Sequence, residues 1–449
     1  MNLSRVWVYR SVAALVSICL GALGAGALNA PHTLHRPKAA EPHLTEPHRA
    51  AGRHAAPTHT ARHAGNSAAA PASASRARTT HSKAKAAPAG QQAHLTARGR
   101  TRSAARHAAL TGRHHVFSER FTASSFANGN IFAGDVTAGE DPVVRQAAID
   151  ALDGMNGTAV VIDPSNGRIL AMVNQKLALS PGAEPCSTIK ITVAMAALSE
   201  GLVTRDTPVQ LAGFRMNMTQ ALAKSNNLYF EELGRELGFE RVRHYANQFG
   251  LGELAGYNIE GEQLGVYPDQ ALPASEGGVA RMCSFGQGVS LTPLQLGAYV
   301  AALANGGTLY YLQHPTTPEE GLAFEPKVKR TLDIAKYIPE IEDGMAGAVE
   351  YGTARRLRTN FHELPVFGKT GTCSNNGTRL GWFASFSDSP QGSLVTVFFL
   401  EGGRPTFGPR AAELTGVFYK NLWDRNWFAS KGQQVAAAIP AVTPQPSQP

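Results

Sequence analysis

Three short strings in the sequence hold the residue types of a nucleophilic acyl-transfer site. They read S-x-x-K at residues 187–190, S-x-N at 225–227 and K-T-G at 369–371. A serine hydroxyl attacks a carbonyl only after a base takes its proton, and a neutral lysine can be that base. Ser187 and Lys190 are three residues apart, which places them on one face of a helix. The strings predict a serine nucleophile with a lysine base, although each string alone also fits a cap, a turn or a core helix.

The second string offers a proton relay to that pair. The Ser225 hydroxyl can hydrogen-bond Lys190 and pass a proton to a leaving group, and the Asn227 amide offers both a donor and an acceptor. Burial and a neighbouring cation both favour the neutral form of a lysine, and Lys369 of the third string is the expected cation. A helix cap is the alternative role of this string, and the two roles are compatible.

The third string follows an apolar run that predicts a strand. The edge of such a strand can pair with an extended peptide, and the hydroxyls of Thr370 and Thr372 with Lys369 suit a terminal carboxylate. Gly371 permits close approach of a substrate backbone. The N–H groups of Ser187 and Thr372 would then face one oxyanion from opposite sides. We expect the third string to bind the substrate, and a simple turn is the alternative.

Most histidines and much of the basic charge lie upstream of these strings. Residues 31–115 contain 12 of the 15 histidines and 14 of the 42 Lys and Arg residues, with only two acidic residues. The excess positive charge therefore belongs to this segment, which removes most of the support for nucleic-acid binding. His244, His314 and His362 remain, and none lies in a recognisable motif, so a lysine is favoured as the base. No metal and no cofactor is expected.

Residues 1–30 have the pattern of an export signal. Arg5 and Arg10 precede an apolar stretch between residues 11 and 30 that is long enough to cross a bilayer as a helix. The stretch fits an uncleaved single-pass anchor or a cleaved signal peptide, and its length favours the anchor. In both cases we expect the catalytic domain outside the cytoplasmic membrane, in the periplasm.

The rest of the chain is predicted to divide into three parts. Residues 31–138 are rich in Ala, His and Arg, with few large apolar side chains to offset the ordering entropy, and predict a disordered linker. Residues 139–429 are predicted to form the folded domain, and 430–449 a disordered tail.

Within the folded part, strand patterns come first and last, and helical patterns lie between them. Strands are predicted at 158–163, 168–173, 364–373, 380–387 and 394–400. Helices are predicted at 143–155, 187–200, 228–237, 239–249, 292–305, 340–350 and 410–423. This order fits an α+β fold, in which an antiparallel sheet built from both ends of the domain is flanked by helices and carries a helical subdomain.

The cysteines bear on the site because two of them adjoin its strings. Of the four, Cys19 lies in the apolar run, and the other three would face an oxidising compartment, so at most one pair can form. Cys186 and Cys373 are candidates for a disulfide if the strings converge. Two small buried residues are the alternative.

From about residue 140 to 428 the sequence resembles the transpeptidase domain of penicillin-binding proteins, which carries the same three motifs. Further strings share the resemblance: a hairpin at 158–173, AKSNNLYF at 223–230, FGQGVSLTPLQ at 285–295 and YGTA at 351–354. The resemblance implies the β-lactamase/transpeptidase-like fold. The catalytic residues it implies are Ser187, Lys190, Ser225, Asn227 and Lys369. The substrate-binding residues it implies are Thr370, Gly371, Thr372 and Gln287.

The implied function is a membrane-tethered D,D-transpeptidase that crosslinks peptidoglycan stem peptides through a serine acyl-enzyme. Its partners would be those peptides, β-lactam antibiotics and other cell-wall synthesis proteins. With water as the acceptor, the same site would be a D,D-carboxypeptidase. A serine β-lactamase would need a deacylating base, and the sequence offers no obvious glutamate for it. A non-catalytic β-lactam or peptidoglycan sensor is the alternative from another class, disfavoured because only about ten residues precede the apolar run.

Overall fold

The computed structural model describes residues 121–389 and 392–431. The predicted membrane segment 1–30, the linker up to residue 120 and the tail from 432 lie outside the described residues. Residues 121–138 pack on the domain, so the linker boundary predicted at 138 is too far along the chain. Asp135 accepts hydrogen bonds from the Asn174 and Gln175 amides at 2.9 and 2.8 Å. None of the helices in the described part has the length and apolarity to span a membrane.

Strands of the described residues form one large sheet and two small two-stranded sheets. In chain order they are β1 Gly157–Asp163, β2 Arg168–Val173, β3 Val209–Leu211, β4 Phe214–Met216, β5 Thr308–Tyr310, β6 Val328–Thr331, β7 Val366–Asn375, β8 Thr378–Ser387 and β9 Leu394–Gly402. The large sheet is antiparallel in the order β2-β1-β9-β8-β7. The two ends of the domain therefore build one sheet, as predicted, and β7 is an edge strand.

Helices cover both faces of this sheet and fill the insert between β2 and β7. In chain order they are α1 Pro142–Leu152, α2 Gln175–Ala178, α3 Lys190–Ser199, α4 Met218–Lys224, α5 Asn227–Gln248, α6 Gly278–Phe285, α7 Pro293–Ala304, α8 Pro318–Leu322, α9 Ile338–Glu350 and α10 Gly408–Asp424. Short 3-10 turns lie at Cys186–Ile189, Ala274–Glu276, Ala335–Tyr337 and Arg355–Thr359.

The alternation of side chains along β1 explains the layered core. Ala159 and Val161 belong to a cluster with α1 and α10 on one face, while Val160 and Ile162 join the helical insert on the other. Successive strand residues point to opposite faces, so a central strand covered on both sides is apolar throughout. The predicted α+β class with an antiparallel sheet and a helical subdomain is confirmed.

Two local differences from the predicted elements have simple causes. The helices expected at 228–237 and 239–249 form α5, and Gly238 between them has non-helical φ and ψ of 72° and 164°. Only a residue without a Cβ adopts that conformation readily, so the glycine kinks the element. The short helices α4 and α6 were not predicted, because seven or eight residues give little periodic signal.

Candidate active site

Ser187 lies at the junction of a loop and a buried helix. The 3-10 turn Cys186–Ile189 precedes α3, so the helical segment predicted to begin at Ser187 starts with a tighter turn. Cys186 takes a left-handed conformation with φ of 51°, which turns the chain into the helix. Side chains all around α3 are buried, as in a helix at the centre of a core. The nucleophile candidate is therefore held by a rigid central element.

The Lys190 amine lies within hydrogen-bond distance of the first two strings at once. Its Nζ is 3.0 Å from Ser187 Oγ, and it donates to the Ser225 carbonyl at 2.9 Å and to Asn227 Oδ1 at 2.6 Å. A carbonyl and an amide oxygen can only accept, so they use two N–H groups. A neutral amine has only two, which leaves its lone pair for the Ser187 hydroxyl proton. The arrangement suits a lysine that acts as a base.

Burial explains why Lys190 can be neutral near pH 7. Its side chain is fully buried, and desolvation lowers its pKa to about 7, against a smaller opposing effect from the Glu231 charge. A protonated amine loses its hydration when buried, so the neutral form gains. Desolvation is therefore the main physical reason why the lysine beside the serine can be neutral.

Lys369 lies on the other side of the Ser225 hydroxyl. Its Nζ donates to Ser225 Oγ at 2.8 Å and to the Thr370 carbonyl at 3.0 Å, and Lys190 Nζ lies 3.3 Å from the same Oγ. Burial first, and then the Lys190 charge, hold the pKa of Lys369 well below its usual range. Two ammonium groups beside one hydroxyl repel each other, so the state in which Lys190 and Lys369 are both protonated is disfavoured. Burial and the charge of Lys369 were both expected to lower the pKa of Lys190, and in the structure burial is the leading cause.

The second string contains the end of helix α4 and the start of helix α5. Ser225 is the last residue of the turn that ends α4, with φ of 53°, and Asn226 caps α5 by accepting from the Tyr229 amide at 2.9 Å. Asn227 is the first residue of α5. The capping role and the role beside Lys190 therefore belong to different residues of one string, and both are present.

The third string lies in β7, whose pairing with β8 leaves its other edge free of strands in the described sheet. Thr370 Oγ1 lies 2.6 Å from Thr353 Oγ1, and Thr372 Oγ1 accepts from the Gly408 amide at 2.8 Å. A Cβ on Gly371 would come 2.8 Å from the Pro185 carbonyl oxygen. Glycine is needed here for close approach of the loop that precedes Ser187, which is a different reason from the predicted substrate contact.

Gln287 belongs to a loop beside the 3-10 turn Cys186–Ile189. Its Oε1 accepts from Arg281 Nε at 3.3 Å, and a Cβ on the preceding Gly286 would lie 3.1 Å from the Cys186 carbonyl oxygen. The structure thus brings this loop to the start of the turn that carries Ser187. It shows no hydrogen bond from Gln287 to Ser187 or Lys190 in the described part, so the side chain lies beside the site and outside the amine–hydroxyl cluster.

Cys186 and Cys373 are joined in a disulfide with a Cα–Cα separation of 5.6 Å. One cysteine immediately precedes Ser187 and the other immediately follows Thr372, so the bond ties the turn that carries Ser187 to β7. Cys283 is a buried free thiol, and burial raises its pKa to about 12.

Histidines are not part of this cluster in the described part of the chain. His314 Nε2 lies 2.9 Å from the buried Glu140 carboxylate, which Arg145 also contacts at 2.9 Å. This structural ion network holds residues near the start of the domain. No group of His, Cys, Asp and Glu among the described residues has the arrangement of a metal site.

Two contacts at the site could not be assigned from the sequence. Trp382 Nε1 donates to the Glu184 carbonyl at 3.0 Å and anchors the loop that leads to Ser187. Thr353 contacts Thr370 across 17 residues of sequence. The YGTA string at 351–354 was part of the family resemblance, but it did not indicate which of its residues makes a contact or which residue is the partner.

A serine hydroxyl beside a buried lysine amine on an α+β domain is the arrangement expected of a serine acyl-transfer protein. The chain belongs to the penicillin-binding protein transpeptidase family, because the model of the "Penicillin binding protein transpeptidase domain" matches residues 157–414, more than half of the chain.

Individual relatives agree with this assignment. The chain is 29% identical to stage V sporulation protein D of Bacillus subtilis, over 59% of this chain and 48% of the relative. It is 25% identical to peptidoglycan D,D-transpeptidase MrdA of Acinetobacter baumannii, over 60% of this chain and 51% of the relative. The chain spans about half the length of these curated relatives.

Solved structures share the fold. A Pseudomonas aeruginosa PBP2 structure aligns with a TM-score of 0.53 and 23% identity, over 64% of this chain and 74% of that one. A peptidoglycan glycosyltransferase from Burkholderia ambifaria aligns with a TM-score of 0.55 and 20% identity, over 64% of this chain and 98% of that one. At these identities the likeness concerns the fold alone.

Proposed function

We propose that this protein is a serine D,D-transpeptidase that crosslinks peptidoglycan stem peptides through an acyl-enzyme. The observation that carries the proposal is the position of Lys190 Nζ, 3.0 Å from Ser187 Oγ, with Ser225 O and Asn227 Oδ1 accepting its other hydrogen bonds. Family membership and the relatives named as D,D-transpeptidases support the same chemistry.

In the acylation step, Ser187 Oγ attacks the carbonyl carbon of the penultimate D-Ala. Its proton passes to the neutral amine of Lys190, and the carbonyl becomes a tetrahedral oxyanion. The N–H groups of Ser187 and Thr372 would stabilise that oxyanion. The disulfide between the neighbouring residues Cys186 and Cys373 supports this role, because it limits how far the two N–H groups can separate.

Collapse of the tetrahedral intermediate breaks the C–N bond to the terminal D-Ala. The leaving nitrogen takes a proton through the Ser225 hydroxyl, which lies between the amines of Lys190 and Lys369. An acceptor amine then attacks the Ser187 ester and gives up its proton along the same route. A new peptide bond forms, and the serine is regenerated.

The donor peptide would bind along the free edge of β7 by adding a strand to the sheet. Its terminal carboxylate would meet the hydroxyls of Thr370 and Thr372. β-lactams would occupy the same place, with Ser187 attacking the ring carbonyl. We also propose that the domain works outside the cytoplasmic membrane, tethered by residues 1–30, because the substrate lies there and the disulfide suits an oxidising compartment.

A peptide assay tests the proposed reaction. The protein is incubated with a stem pentapeptide ending in D-Ala-D-Ala and with an amine acceptor, and the products are measured by mass spectrometry. We expect the exchange or crosslinked product from the wild type, none from Ser187→Ala, and unchanged activity in Ser165→Ala, an exposed hydroxyl in the β1–β2 turn.

Other products would overturn the proposal. Hydrolysis alone, at every acceptor concentration, would make the protein a carboxypeptidase. Hydrolysis of the penicilloyl-enzyme within seconds, with release of the ring-opened penicilloate, would make it a β-lactamase, and failure of any acylation would favour a non-catalytic module.

A further inference from the structure

Thr353 lies where the segments that carry the second and third strings meet. Its backbone N–H donates to the Ala223 carbonyl at 3.1 Å, two residues before Ser225. Its Oγ1 lies 2.6 Å from Oγ1 of Thr370, in the third string. One residue, placed just after α9, therefore contacts both the segment of the proton relay and the strand of the substrate site.

The main chain fixes the position of this hydroxyl. The neighbouring Gly352 packs so tightly that a Cβ there would lie 2.1 Å from the Ala223 carbonyl oxygen. Its amide donates to the Gly347 carbonyl at 2.9 Å, and the Ala354 amide donates to Ala348 at 2.8 Å. Backbone hydrogen bonds on both sides of Thr353 thus hold it against Thr370, whose side chain is nearly fully buried.

The two hydroxyl protons of Thr353 and Thr370 determine what this contact can donate to a ligand. Two hydroxyls 2.6 Å apart share one hydrogen bond, so one of the two protons is left to donate elsewhere. A carboxylate next to Thr370 can only accept. It selects the arrangement in which Thr353 donates to Thr370 and Thr370 donates to the carboxylate, and each bond in such a chain strengthens the next.

We propose that Thr353 is a positioning residue for recognition of the substrate carboxylate. Its hydroxyl turns the Thr370 hydroxyl into a donor aimed at the terminal carboxylate of the donor peptide or at the carboxylate of a β-lactam. The inference rests on the proposed function and adds a residue outside the three motif strings. Because Thr353 also binds the Ala223 carbonyl, it keeps the carboxylate contact in register with Ser225.

The test compares two ligands that differ in the carboxylate alone. Acylation rates are measured with benzylpenicillin and with its methyl ester, for the wild type, Thr353→Val and Thr353→Ser. Valine keeps the shape of threonine and removes the hydroxyl, and serine restores the hydroxyl. We expect Thr353→Val to slow acylation by benzylpenicillin about tenfold and by the ester less than about twofold, as for loss of one hydrogen bond. Thr353→Ser should react with benzylpenicillin at close to the wild-type rate.

Equal losses with both ligands, no loss with either, or failure of serine to restore the rate would each overturn the proposal. A double-mutant cycle with Thr370→Val adds an independent test, and the thermal midpoint of every variant is recorded. The effect of Thr353→Val should vanish when Thr370 has no hydroxyl, and a purely structural effect would persist. A wild-type protein that no penicillin acylates would instead refute the proposed function itself.

Discussion

Asn227 Oδ1 lies 2.6 Å from Lys190 Nζ, so the amide of the second string fixes the amine of the first. An amide oxygen accepts a hydrogen bond without adding a charge, which leaves the desolvated amine free to be neutral. The chemical type of residue 227 therefore bears on the proton affinity of the base as well as on its position.

Asn227→Asp should impair acylation near neutral pH while keeping the shape of the side chain. A carboxylate beside the Lys190 amine stabilises the ammonium form and raises its pKa by about 1–3 units. The rate of acylation by penicillin at pH 7 should fall about tenfold or more and recover as the pH rises. Asn226→Asp is the matched control, because aspartate caps a helix as well as asparagine does. Equal effects of the two substitutions would contradict this account.

The rate of acylation by the wild type should rise with pH through a limb near 7. Lys190 acts as a base only when neutral, and burial lowers its pKa to about 7. The rate constant should therefore be small at pH 5 and approach a plateau at about two units above the pKa. Stopped-flow measurements with a chromogenic β-lactam follow this directly. A limb near the ordinary lysine value would show that burial does not lower the pKa of Lys190 as this account requires.

The lowered pKa of Lys190 should also make the free energy of unfolding depend on pH, in a direction that can be predicted. The pKa of Lys190 is lower in the folded state than in the unfolded chain, so the unfolded state binds more protons between the two values. The free energy of unfolding, wild type minus Lys190→Met, should rise with pH from about 7 to 10, by at most about 1.4 kcal/mol per pH unit. Urea unfolding at several pH values measures it. A difference that is flat across this range would argue against a depressed pKa.

Breaking the disulfide should slow acylation and lower stability. The bond joins residues that flank Ser187 and Thr372. Its loss lets β7 move away from the turn that carries Ser187. The double variant Cys186→Ser/Cys373→Ser should lose about 2–4 kcal/mol of unfolding free energy and acylate more slowly.

Reductant provides the control for the disulfide. It should reproduce the slower acylation in the wild type and change nothing in the double variant, while Cys283→Ala should keep the wild-type response. Unaltered acylation after complete reduction would remove any role of the bond in catalysis.

The chemistry of the site was predictable from the sequence because it rests on local spacing. Ser187 and Lys190 share a helix face whatever surrounds them, and alternation along β1 predicts a central strand. Terminal strands with helices between them left few possible topologies. The fold class therefore followed from short-range patterns, whereas the convergence of the three strings was implied by the family resemblance.

Contacts between distant segments were not predictable in the same way. The partner of Thr353 depends on how the turn after α9 packs, and no periodicity encodes that. The domain begins earlier than predicted because Asp135 binds amides 39 and 40 residues away and Arg145. Low local hydrophobicity was interpreted as a linker, although these long-range hydrogen bonds order the segment.

The central claim is that Ser187 becomes acylated, and intact-mass spectrometry of the penicillin-treated protein tests it most directly. We predict an adduct of one penicillin per chain, located on the peptide that contains Ser187 and absent in Ser187→Ala. An adduct that persists in Ser187→Ala, or an unmodified wild type at saturating penicillin, would contradict the assignment of the nucleophile.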